Sequence, residues 1–138
     1  MLKQDAKNYV NSLILGQASK LSYIVKADAP STETALFNES GLVIWSGASH
    51  GTIYQDERVN WAFRALHDDL HLKTGLSFSV DAEIELGRIQ ASKYTSSLMQ
   101  DLVFCEVAGQ ALYFQKTGIF IQDQVQFTVD FLKNKGVL

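Results

Sequence analysis

One cysteine and one proline occur in 138 residues, and neither sign of charge dominates. Each scarcity removes a class of protein. Cys105 has no second thiol to pair with, so no internal disulfide staples the chain, and a reducing, cytoplasmic setting follows. No apolar run approaches the ~18 residues that a membrane span needs. The opening MLKQDAKNYVNSLIL has neither the long apolar centre nor the small-residue cleavage site of a signal peptide. Twelve Lys and Arg against fifteen Asp and Glu leave a net charge of −3, which argues against a protein that coats nucleic acid. The glycines at 41, 47 and 51 lack the spacing and the following lysine of a phosphate-binding loop. No serine has the G-x-S-x-G surroundings of a hydrolase nucleophile.

What is present suits a folded chain. Hydrophobic residues at 46% and charged residues at 20% are ordinary for a globular protein, and the length suits one domain spanning 1–138. Val10, Leu13, Ile14 and Leu21 recur at helical intervals and predict a helix from about Lys3 to Leu21. Ala29, Pro30, Ser31 and Thr32 predict a loop. Asn38 to Gly41 resembles a turn, and Leu42 to Trp45 is a short β-favouring run, to be paired with Ala35 to Phe37 in a small hairpin. Asp56 is a plausible N-cap for a helix reaching Leu72, closed by Lys73, Thr74 and Gly75. Ser79 starts a helix to about Tyr94, and Thr95, Ser96 and Ser97 interrupt. Two further helices follow, from Leu98 to Lys116 and, after Gly118, from Gln122 to Lys133. The predicted fold is mainly α, a single-domain helical bundle of about five helices with a small β-hairpin or extended element near residues 35–47.

The stretch RALHDDLH, Arg64 to His71, carries the chemistry. On a helix, Asn60, Arg64, His67 and His71 follow steps of four, three and four and form one polar line beside the apolar stripe of Val59, Ala62, Phe63, Leu66 and Leu70. Histidines one turn apart can bind one metal ion together, and the spacing is that of the zinc-protease motif H-E-x-x-H with Asp68 in place of its glutamate. Aspartate is one methylene shorter and does not reach the same point, so a copied protease mechanism is not expected. Glu106, inside the apolar run LVFCEVAGQALYF, needs a cation or a hydrogen-bond donor if it is buried. It shares a face with Gly109, Gln110 and Tyr113, and Gly109 lets another helix come close.

Three readings of this row stand side by side. His67, His71 and Glu106 are leading ligands for one divalent metal, zinc, manganese or iron, with Glu83 as a fourth ligand or general base and Asp68 as a catalytic or orienting carboxylate. Asn60, Arg64 and Gln110 then hold a small polar or anionic substrate. A second reading starts from the adjacent pair His67 and Asp68, which is similar to the pair that names the HD phosphohydrolases; His50, with Asp101 or Asp130, would add ligands. In the third, the row is a structural polar network with Glu106 neutralised by Arg64 or Arg88. Cys105 reads as a buried hydrophobe, His50 as an exposed loop histidine or a ligand, and Trp45, Trp61, Phe63 and Tyr113 as core.

The segments SGASHGTIYQDERVNWAFRALHDDLH, GLSFSVDAEIE, FCEVAGQALYF and GIFIQDQVQF together resemble a family of small uncharacterised proteins encoded by tailed bacteriophages. The resemblance covers roughly residues 40–131 and includes Asn60, Arg64, His67, Asp68, His71, Glu83, Glu106, Gly109 and Gln110. It implies a viral protein working in the host cell cytoplasm, and it selects Glu83 over Glu85; it brings no reaction with it. The function expected is that of a metal-dependent hydrolase or related metalloenzyme with a His/Glu centre between helices. The alternative from another class is a non-catalytic phage protein that binds a host protein. No nucleic-acid or membrane partner is expected.

Overall fold

A computed structural model describes residues 2–27, 37–38 and 41–138, with the backbone alone at 37–38. The chain is mainly helical with a small β element. It divides into two compact units, Leu2–Gly75 and Leu76–Leu138.

The first unit holds α1 (Gln4–Ala18), β1 (Tyr23–Lys26), β2 (Phe37–Asn38), β3 (Gly41–Trp45) and α2 (Glu57–Thr74). Val10, Ile14 and Ala18 give α1 its buried stripe. β3 is central in the sheet, parallel to β1 and antiparallel to β2. The pairing of Asn38 with Gly41 is the expected hairpin; Ala35, Glu39, Ser40 and the loop at Ala29 to Thr32 lie outside the described residues. The parallel partner β1 has no counterpart among the elements that the sequence predicts. Its run Tyr23, Ile24, Val25 is β-branched and aromatic, but parallel pairing joins segments distant in sequence and leaves no local mark. Leu42 and Ile44 of β3 pack with Ala65 of α2, flanked by Leu21, Tyr23, Val25 and Trp61.

Both ends of α2 are written in the sequence. Asp56 accepts a hydrogen bond from the Arg58 amide as N-cap, and Gly75 takes the left-handed conformation at φ 70°, its N–H donating to the His71 carbonyl at 2.9 Å. Between them Val59, Ala62, Phe63, Ala65 and Leu70 are buried.

The second unit holds α3 (Val80–Ala91), α4 (Ser97–Phe104), a π-helical segment (Cys105–Gly109), α5 (Gln110–Thr117) and α6 (Gln124–Asn134). Ser79, Ser96 and Asp123 cap α3, α4 and α6 through their side-chain oxygens. The helix predicted from Leu98 to Lys116 is continuous but widens to π geometry from Cys105 to Gly109. Leu86, Met99, Leu102, Val103, Ala108 and Leu132 form the buried interior. α3 crosses the π segment closely at Gly87, where a Cβ would lie 3.0 Å from the Ala108 methyl.

Candidate metal centre

The polar line along α2 forms, and its members do different work. Asn60 is buried and donates from Nδ2 to the Ser49 hydroxyl at 3.0 Å. Arg64 reaches the preceding loop: Nη1 donates to the carbonyls of Trp45, at 2.7 Å, and Gly47, and Nη2 donates to that of Ala48 at 3.4 Å. Its guanidinium also lies 5.1 Å from the centre of the Trp45 ring. Burial lowers the Arg64 pKa, and the nearby charge of Asp68 opposes that shift. Arg64 and Asn60 therefore pin the loop from Trp45 to Ser49, which holds a positive φ of 51° at Ala48. Their donors are directed at the protein's own backbone and at a loop hydroxyl.

His67 and His71 do meet. Their Nε2 atoms are 3.1 Å apart, and the rings are nearly perpendicular at 83° with centroids 4.6 Å apart. His71 is buried, 3% exposed, and His67 is half-buried. The i, i+4 spacing stacks the two side chains along one face, which the tilt of helical Cα–Cβ bonds requires. Two nitrogens bound at ~2.0–2.1 Å to one tetrahedral ion stand about 3.4 Å apart, a separation near the one found here. The pair can hold a metal ion with one nitrogen from each ring. Of the two aspartates between them, Asp69 forms a 2.6 Å ion pair with Lys73 one turn on, and Asp68 is coupled to Arg64. His50 is 90% exposed at its side chain and pairs with Glu57 at 3.3 Å.

The second unit carries the expected carboxylates. Glu83 sits, half-buried, in the first turn of α3. Glu106 lies in the π segment, and its partners are neutral donors: Thr128 Oγ1 donates to Oε1 at 3.0 Å and Gln110 Nε2 donates to Oε2 at 3.3 Å. Burial pushes the Glu106 carboxyl up to about 7, against the lowering effect of the Thr128 bond. Of the cations proposed to neutralise it, Arg88 instead pairs with Glu85 at 3.6 Å and Arg64 is engaged with its loop carbonyls. The helix expected at Gly109 is α6, whose Phe127 ring would be 3.7 Å from a Cβ placed there. Gln110, expected to touch substrate, is a donor to Glu106.

Thr128 is the residue that sequence reasoning missed. It falls between Val125 and Val129 on the buried stripe of α6, fully buried itself, and a hydroxyl in that position calls for a partner. Cys105 is buried and its thiol is pushed up to about 12, chiefly by burial and then by the charge of Glu106, which fits the hydrophobe expected. Trp45 corrects an expectation: it is 37% exposed, its indole donating to the Ala27 carbonyl at 2.9 Å, and is a surface ring instead of core. Tyr113 is half-buried.

Comparison of the chain with protein-family models, curated proteins and solved structures gives no match. The helices found among the described residues include none long and apolar enough to cross a membrane.

Proposed function

We propose that the chain binds one divalent metal ion through His67 and His71 and uses it for hydrolysis. The observation that carries this is the 3.1 Å approach of the two Nε2 atoms. Glu83, in the first turn of α3, is the candidate further ligand or general base in this reading. Two nitrogens and one oxygen suit zinc, manganese or iron. A metal held this way would supply Lewis-acid activation of water near neutral pH. Asp68, one residue beyond His67, is the candidate to orient a ligand or accept a proton. Glu106 is left out of the ligand set because Thr128 and Gln110 already occupy its two oxygens. The resemblance to tailed-phage proteins is the ground for assigning the activity to a viral protein in the host cytoplasm.

A second reading rests on the same contact. An N–H of one imidazole donating to the bare nitrogen of the other also gives a separation of 3.1 Å, and the pair is then a structural hydrogen bond within a protein that acts by binding a host protein. Metal analysis of untagged protein separates them. The metal reading requires about one ion per chain, lost in the double variant His67→Ala/His71→Ala while the helical circular dichroism persists. No bound metal after supplementation with zinc, manganese and iron would refute it.

A further inference from the structure

The ends of three helices in the second unit frame an open cleft of about 420 Å³ that the metal reading does not use. Arg88 and Ser92 come from the end of α3, Asp101 and Phe104 from α4, Gln100 from the same helix, and Lys135 from the C-cap of α6. The volume lies within the range of small-molecule clefts. Two cations face it in a chain whose net charge is −3. A cation at a helix C-terminus also offsets the helix dipole, which accounts for each position singly. It does not account for both lining one cleft with a carboxylate and an aromatic wall.

The groups differ in what they can offer a ligand. Arg88 has a loose 3.6 Å partner in Glu85, both side chains being largely exposed, and Lys135 Nζ lies 5.6 Å over the Phe131 ring. Both are accessible to an anion, and an arginine fork matches two phosphate oxygens at once. Phe104 lines the cleft beside the cations, and its ring stacks on Phe131 with centroids 6.4 Å apart and planes at 29°. Gln100 spends its amide N–H on the Tyr94 carbonyl at 2.7 Å and keeps its oxygen as an acceptor; Asp101 offers only acceptors. A ligand that matches the cleft has an anionic end, a flat ring, and N–H donors on the ring's edge.

We infer that this cleft binds a purine nucleoside monophosphate, with guanine the better base. Arg88 and Lys135 take the phosphate, and Phe104 stacks on the ring. Asp101 accepts from the ring N–H and the neighbouring exocyclic amine of guanine, two parallel bonds where adenine's edge offers one donor.

Calorimetric titration of the full chain at low salt, with chelator present so that the metal reading has no bearing on the outcome, tests this. Guanosine monophosphate is expected to saturate at one ligand per chain and to bind roughly tenfold tighter than adenosine monophosphate, guanosine or inorganic phosphate. Arg88→Gln with Lys135→Gln weakens it by roughly tenfold, and Asp101→Asn brings the two nucleotides to within about threefold of each other. Arg88 and Lys135 are exposed and Asp101 is half-buried, and circular dichroism verifies that the variants fold. No saturable binding, binding no tighter than that of phosphate, insensitivity to the charge variants, or a guanine preference that survives Asp101→Asn would each overturn it.

Discussion

The hydroxyl of Thr128 on α6 donates to Glu106 Oε1 at 3.0 Å, so a carboxyl group on a π-helical turn is satisfied by a neutral donor from a different helix. Neutral donors stabilise a carboxylate less than a cation does, and burial prevails: the group titrates near 7 where an ordinary glutamate titrates at 4.5. Because the folded-state pKa is raised, the folded chain holds this proton more tightly than the unfolded chain. Its contribution to stability is fully present below pH 4.5 and is lost as pH rises through about 7, after which it stays flat. The loss is at most about 3 kcal/mol. Glu106→Gln keeps an acceptor for Thr128 and has no proton to lose, so denaturant unfolding between pH 5 and 8 is expected to show a shallower decline than in the wild type. An identical slope in the two proteins would show that Glu106 is not the titrating group.

Thr128→Val keeps the shape of the side chain and removes the donor. Glu106 Oε1 then faces an apolar neighbour, and a buried acceptor without its partner costs about 1–3 kcal/mol. The cost grows with pH, since the charged form suffers more than the neutral one. Unfolding midpoints of Thr128→Val at pH 5 and pH 8 measure both effects; a pH-independent loss would assign the damage to packing.

What could be read from the sequence was local. Asp56, Ser79 and Gly75 each act on a backbone within a few residues of themselves, and the helix ends they mark are where the spacing predicts. The His67 and His71 contact is local too, since one helical turn brings the rings together whatever else the chain does. The features that escaped depend on distant partners. β1 pairs in parallel with β3, Arg64 bonds to carbonyls sixteen to nineteen residues earlier, and Thr128 lies twenty-two positions from Glu106. The widening of the helix at Cys105 to Gly109 has no spacing signature, because the same apolar run is compatible with α or π geometry.

Arg64→Lys tests whether Arg64 holds a loop or a ligand. Lysine retains the charge but cannot fork to the carbonyls of Trp45, Gly47 and Ala48 or lie flat on the Trp45 ring. The expected result is a loss of about 1–3 kcal/mol in stability with a changed Trp45 environment, read as an altered tryptophan emission in the native state. Metal content is expected to stay at the wild-type level. A stable Arg64→Lys protein with unchanged emission would remove the loop-clamping role.

The two histidines are expected to differ, and the difference follows from burial. His71 is 3% exposed and its backbone carbonyl receives the capping N–H of Gly75, whereas His67 is half-buried. His71→Ala opens space in a packed region and is expected to cost about 2 kcal/mol even without metal. His67→Ala, with more solvent around it, is expected to cost well under that. In added metal the ranking changes, because a ligand present at a hundredfold over its Kd adds about 2.7 kcal/mol to wild-type stability and nothing to a variant that has lost its chelate. Thermal unfolding of the wild type is therefore expected to rise on metal addition, while His67→Ala, folded and nearly as stable without metal, does not respond. A metal-induced rise that survives His67→Ala would place the ion elsewhere. A wild type without any rise would leave the 3.1 Å contact as a hydrogen bond.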